Sequence, residues 1–316
     1  MTLLVPTVPA PEAVVAARPG RRDVATGIGV ACGAAFLAMA VLGMVHPGNP
    51  NALVAAGPEP PSLHHLFGTD GLGRDVFWRT AAGAWTSLWV SLVAVGSALA
   101  VALPLGLLAG SAGGRVDGVV MRALEVPQAL PQFVLVIVLL SLFGSGAVQM
   151  ALCLGVAFVP FFARIARAAT AQELHEDYVE GLAALGVGRY RVLFGDVAVN
   201  VVPAVAVQAF AALAVAIFAE GGLSFLGLGV PPPAPTLGGL VAEAGTDLLA
   251  GLWWYAVLPG VVLLAGILGA NLVGDHLDDR LAGRRPARRQ GRWSTRGPGR
   301  WSTRWPGRWS TRGSPR

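Results

Sequence analysis

The 316-residue sequence contains no lysine: all 23 basic residues are arginine. A nucleotide-binding P-loop needs a lysine at the β- and γ-phosphates. The chain is therefore not a standard P-loop ATPase, and any ATP that drives it is hydrolysed by another subunit. Charge is scarce as well. Only 13% of residues are charged, about half the ~25% of soluble domains, whereas 54% are hydrophobic and the mean hydropathy is +0.62. That balance excludes an ordinary cytosolic enzyme and excludes disorder over most of the length. Cysteine is limited to Cys32 and Cys153, both in apolar runs with no CxxC and no paired His. They read as core thiols rather than a disulfide or metal site. No Ser/His/Asp set and no metal-ligand spacing stands out, so no catalytic residue, cofactor or metal ligand is expected here.

The formal net charge of +5 is unevenly distributed. Residues 280–316 hold twelve arginines and no acid, whereas residues 1–279 hold eleven arginines against all eighteen acids, a net of −7. The isoelectric point of 10.2 thus describes a tail and not a nucleic-acid-binding face, and no nucleic-acid partner is expected. From residue 291 the tail repeats GRWSTR with an eight-residue period. Its Pro and Gly residues forbid a continuous helix, so residues 284–316 read as a disordered low-complexity extension. The alternative is attraction to membrane lipid, where each surface arginine gains about 1 kcal/mol.

Six apolar runs approach the ~20 residues that cross a hydrocarbon core: Val24–Val45, Ser87–Leu108, Val119–Phe143, Ala147–Ile165, Val201–Ala219 and Leu252–Val273. The first exceeds the about 7–15 apolar residues of a signal peptide and is followed by more spans, so it reads as a retained helix. Residues 46–84 are polar and rich in Pro and Gly, with a short interfacial helix expected near Asp75–Ala84. The expected fold is all-α: a polytopic membrane protein with six transmembrane helices over residues 23–283, preceded by an N-terminal tail, 1–22. Arg18, Arg21, Arg22, Arg115, Arg164, Arg167, Arg189, Arg191 and the tail fall on one face, and only Arg74 and Arg79 on the other. The positive-inside rule then puts both termini in the cytoplasm.

Within the third span, Arg122 and Glu125 lie one turn apart and are placed to pair. Pro127 and Pro131 remove backbone donors and predict a kink. These four are candidate gating residues, with a packing bend as the plainer account.

Residues 171–199 form the one long cytoplasmic loop between spans. Thr170 with Glu173 makes a capping box. Leu174, Tyr178, Leu182 and Leu185 follow as an apolar stripe, and Gly186-Val187-Gly188 ends the helix. Tyr190, Val192, Leu193 and Phe194 suit a second short helix. The stripe needs a partner: its own bundle, the lipid interface, or a groove on another protein.

This loop resembles the coupling motif of bacterial ATP-binding cassette (ABC) importer permeases. Tyr178-Val179-Glu180 opens it, Gly186 falls at the family's offset, and Asn200 and Pro203 close it. Gly181 and Leu182 stand where that family has two alanines, and Val199 where it has proline. Leu66-Phe67-Gly68-Thr69-Asp70-Gly71-Leu72-Gly73-Arg74-Asp75-Val76, Glu220 to Val230 followed by three prolines, and Asn271 to Asp279 are similar to segments of the peptide/nickel group, specifically its second permease. The likeness runs from about residue 23 to 284. It implies a type I importer permease of MetI-like fold, paired with a second homologous permease, two ABC ATPase subunits that bind ATP and Mg, and an extracytoplasmic solute-binding protein. It also implies that Tyr178, Glu180, Leu182, Leu185 and Gly186 carry coupling to ATP hydrolysis, with peptides or a nickel chelate as the solute.

Locally, the Gly-rich 66–76 segment lies on the extracytoplasmic side by the charge rule and is no phosphate loop. A turn stabilised by Asp70 and capped by Asp75 is expected. The main rival is an ion-driven secondary transporter working without an ATPase. It is disfavoured because the span centres are nearly charge-free and no three-span repeat appears.

Overall fold

A computed structural model describes residues 19–284. The described residues are mostly helical, apart from a long non-helical segment over 46–75, with no sheet and only two isolated β-bridges. The helices are α1 (Pro19–Val45), α2 (Val76–Ala112), α3 (Gly114–Gln128), α4 (Gln132–Phe143), α5 (Ala147–Glu173), α6 (Asp177–Ala184), α7 (Arg189–Arg191), α8 (Ala198–Phe225), α9 (Leu237–Leu249) and α10 (Trp253–Arg284). A π-helical stretch, Val192–Val197, joins α7 to α8, so the chain is continuously helical from Arg189 to Phe225.

Five helices are long and apolar enough to cross a membrane, and the bent pair α3–α4 makes a sixth crossing if counted as one. The pair departs from the kink expected at Pro127 and Pro131. Pro127 sits in the last turn of α3, Pro131 precedes α4, and the helices meet at 83°. Two prolines four residues apart strip the backbone donors from one turn, and that turn opens into a corner. Helix α3 contributes no buried residue.

A second departure concerns α2. No separate interfacial helix spans 75–84; Asp75 instead caps one unbroken helix of 37 residues. Its Oδ1 accepts from the amides of Phe77 (2.8 Å) and Trp78 (3.3 Å), satisfying donors that the first turn leaves free.

The bundle is built around α2 against α5. Gly106 and Gly110 of α2 face Ala163, Ala166, Arg167 and Thr170 of α5, and a Cβ on Gly106 would lie 2.5 Å from the Ala166 side chain. Small residues four apart let two backbones touch, the way helices associate where no water drives them together. Phe158, Phe162, Val192, Leu193, Val197, Val201 and Val205 fill the core beside this seam. Phe36 and Ala40 of α1 pack with Leu88 of α2 and Ile217 of α8. Large apolar side chains such as Leu37, Leu92, Leu152 and Leu264 point outward, the reverse of a water-soluble surface.

Candidate functional site

At one end of the bundle the chain leaves α5, turns through α6 and returns by α7 to α8, forming a displayed finger. The expected capping box is absent. Thr170 and Glu173 belong to the last turn of α5, where the buried Thr170 hydroxyl donates to Ala166 O at 2.7 Å. The apolar run of α5 continues helically past the membrane length, so these residues never meet a helix start. Leu174 is the residue that ends α5, and the expected four-residue stripe therefore does not share one helix.

The finger's side chains divide between two faces. Leu174, Val179, Leu182 and Val187 are half-buried and pack on the core cluster that holds Leu107, Val192 and Leu193. Tyr178 is half-buried too; its hydroxyl donates to Glu173 Oε1 at 2.9 Å. Asn200, in the first turn of α8, donates its Nδ2 to the same Oε1 at 2.8 Å and to the Tyr178 oxygen at 3.1 Å. Burial pushes the Tyr178 phenol above its ordinary pKa, so it remains a donor at neutral pH. On the outward face Leu185 is 81% exposed and Tyr190 74% exposed, with Glu180 also in solvent. Leu185 therefore does not pack on the chain's own bundle with Leu174 and Leu182, and of the partners open to the stripe only one outside this bundle is left for it. Gly186 has φ +78° and open space around its Cβ position, the left-handed turn that glycine adopts without strain.

Two further contacts brace this end. Arg167 of α5 makes a two-pronged ion pair with Asp117 of α3, and Arg189 of α7 donates to Ser111 O at the end of α2. The Arg122–Glu125 pair expected in the third span is not among the ion pairs of the described residues; both side chains are exposed on α3. Glu125 instead lines a shallow cleft with Met121, Leu124, Gln128, Pro160 and Arg164.

The opposite end holds a charged network that the sequence reading missed. The 66–76 turn forms as expected: Asp70 Oδ1 accepts from the amides of Leu72 (3.0 Å) and Arg74 (2.9 Å). Asp70 Oδ2 also receives Arg74 Nε at 2.6 Å and Arg79 Nη1 at 2.8 Å. Arg79, only 1% exposed, further donates to Tyr255 Oη at 2.6 Å and to Glu243 Oε2 at 2.9 Å, and Tyr255 donates to Glu243 at 2.8 Å. Two arginines and two carboxylates thereby tie the loop to α2, α9 and α10. The available signal was an arginine at the fourth position of an apolar helix, a charge that demands a partner.

A second buried group was also missed. Glu220 of α8 is fully buried; its Oε1 accepts from Ser224 at 2.8 Å while Oε2 has no partner. Ser87 of α2 faces it, without completing a hydrogen bond by geometry.

The described residues thus define a multi-span helical membrane protein with a finger braced against three of its helices. Residues 102–283 match the family described as "Binding-protein-dependent transport system inner membrane component". The chain belongs to that family, among the peptide permeases of ABC importers. It is 37% identical over 223 residues to the "Di/tripeptide transport system permease protein DppC" of Pseudomonas aeruginosa, covering 71% of this chain and 73% of that one. It is 36% identical over 222 residues to the "Dipeptide transport system permease protein DppC" of Bacillus subtilis, covering 70% and 69%.

Proposed function

We propose that this chain is one of two permease subunits of an importer that carries short peptides inward across the cytoplasmic membrane, driven by ATP hydrolysis on two partner ATPase subunits. An extracytoplasmic binding protein delivers the solute. The observation that carries the reading is the finger: Leu185, Gly186 and Tyr190 are presented outward, while the opposite face of the same segment is packed on the core. An outward apolar tip braced from behind suits a partner's groove. The arginine excess at the finger end supports, by the positive-inside rule, a cytoplasmic location for that end and for both termini, on the side where ATP is. Peptide is favoured as solute because the relatives named above are peptide permeases.

In this reading, closure of the ATPase pair moves the finger, and the spans rock between two packings. Co-purification of the tagged protein from its native membrane in mild detergent tests the assembly. Recovery of a P-loop ATPase, a second permease and a binding protein, followed by ATP-dependent peptide uptake in proteoliposomes, is the expected result. A lone protein or homodimer under conditions that preserve other ABC complexes would overturn it.

A further inference from the structure

Any force applied to the finger must reach the spans, and the contacts at its root say by which route. Helix α6 is eight residues long and contributes no fully buried side chain. Its apolar grip on the core, through Val179 and Leu182, is half-exposed and, being non-directional, permits sliding. Directional contacts do not. On α6 the side-chain hydrogen bonds of the described residues converge on Tyr178, which meets Glu173 at the end of α5 and Asn200 at the start of α8. These three side chains come from three helices, α5, α6 and α8, and each contacts both others.

We propose that Glu173, Tyr178 and Asn200 form a positioning lock that makes α6 move as one body with the cytoplasmic ends of α5 and α8. It rests on the permease reading above and deepens it: the tip meets the ATPase, and the lock passes the displacement on. Glu173 serves as a shared acceptor, because its Oε1 receives both the Tyr178 hydroxyl and the Asn200 amide. The role therefore needs an oxygen at that place and not a negative charge. Sequence motif matching would have singled out Tyr178 and Asn200 separately; the partner that unites them lies five residues before Tyr178, at the end of the preceding span.

Replacing Glu173 with glutamine keeps an acceptor oxygen, whereas alanine removes it. The test uses the assembled complex in proteoliposomes and measures ATP hydrolysed per peptide imported, alongside subunit recovery on purification. Glu173→Ala and Asn200→Ala should raise the ratio by about fivefold, at the low end of energetic couplings between sites, with the ATPase still bound. Glu173→Gln should stay within about twofold of wild type, the scatter expected when hydrogen-bonding capacity is kept. A spin label on α6 and another on α8 should show a broadened distance distribution in Glu173→Ala but not in Glu173→Gln.

Normal ratios in both alanine variants would overturn the lock, as would a Glu173→Gln variant as uncoupled as Glu173→Ala, which would make the charge itself the requirement. Loss of the ATPase from the alanine variants would also overturn it, by reassigning these residues to assembly. Failure of the wild-type complex to import peptide is a different result, seen before any variant is made, and counts against the permease reading instead.

Discussion

Asp70 to asparagine is the substitution whose cost follows most directly from the geometry. The change is nearly isosteric, and the asparagine oxygen can still accept from the Leu72 and Arg74 amides as Asp70 Oδ1 does. The turn should therefore survive. What is lost is the negative charge 2.8 Å from Arg79, with Asp70 and Arg79 each 1% exposed, and the amide now turns an N–H toward two arginines. The remaining carboxylate near Arg79 is Glu243, 37% exposed and so screened by solvent. A buried cation left with no partner costs about 3–5 kcal/mol. Arg79 keeps Glu243 and Tyr255, so the low end, about 3 kcal/mol, applies. At about 2–4 °C per kcal/mol, that lowers the unfolding temperature by roughly 10 °C. Unfolding from detergent is irreversible for most such proteins, so apparent midpoints are compared at one scan rate.

A second variant separates charge from shape. In Asp70→Asn with Arg79→Met both buried charges are gone, and the double variant should recover a large part of the loss, because an apolar replacement of a buried pair is often near neutral. Asp70→Asn within about 2 °C of wild type, less than one kcal/mol on that scale, would refute the reasoning. A double variant less stable than the single one would refute it as well.

Four other outcomes follow from the same structure. Leu185→Asp should leave the unfolding midpoint unchanged, since the side chain is 81% exposed, yet cut ATPase recovery on co-purification by about tenfold, as loss of an interface anchor does. Gly186→Val should cost about 1–2 kcal/mol in the αL turn and raise ATP consumed per peptide imported; normal transport would remove Gly186 from the coupling geometry. Gly106→Leu would drive a side chain into Ala166 and Ala163 O, so the protein should fail to accumulate in the membrane, as judged by immunoblot. Glu220→Gln, which keeps the Ser224 contact, should shift the midpoint by no more than about 4 °C, whereas Glu220→Lys buries an unpaired cation and should abolish accumulation.

How much of this was legible in the sequence depends on the range of the interactions. Apolar length marked the membrane helices because crossing a bilayer is a local requirement, satisfied one segment at a time. The 66–76 turn was legible for the same reason: Asp70 and Asp75 bond amides two to four residues away. The finger was legible as a segment but not in its facing. Thr170 and Glu173 fit a capping box in spacing, yet the preceding apolar run kept α5 helical through them, and that left Leu174 at the end of α5, off the helix that carries Tyr178 and Leu182. Arg122 and Glu125 had the right separation to pair, but on an exposed helix the attraction between them is too weak to fix two long side chains. The Arg79 network was invisible because Glu243 and Tyr255 lie 164 and 176 residues further along, and no local pattern names such partners. Glu220 opens the Gly-rich segment that resembles the peptide/nickel group, and nothing nearby indicates that it is buried facing Ser87 of α2.

The unbroken course of α2 has a consequence for how this chain tolerates insertion. Arg79 near one end must face the charged network, and Gly106 and Gly110 near the other must face α5. No loop lies between them to absorb an error. At about 100° of turn per residue, one extra residue anywhere between Arg79 and Gly106 swings one half of the helix away from the face it needs. It either exposes the arginine to lipid or drives side chains into the α2–α5 seam. An insertion of four residues restores the angle to within about 40° but lengthens the rod by about 6 Å, which pulls the Asp75 cap out of its loop. The spacing between the two sites is thus a fixed count of residues, and substitutions are the changes this stretch can accept.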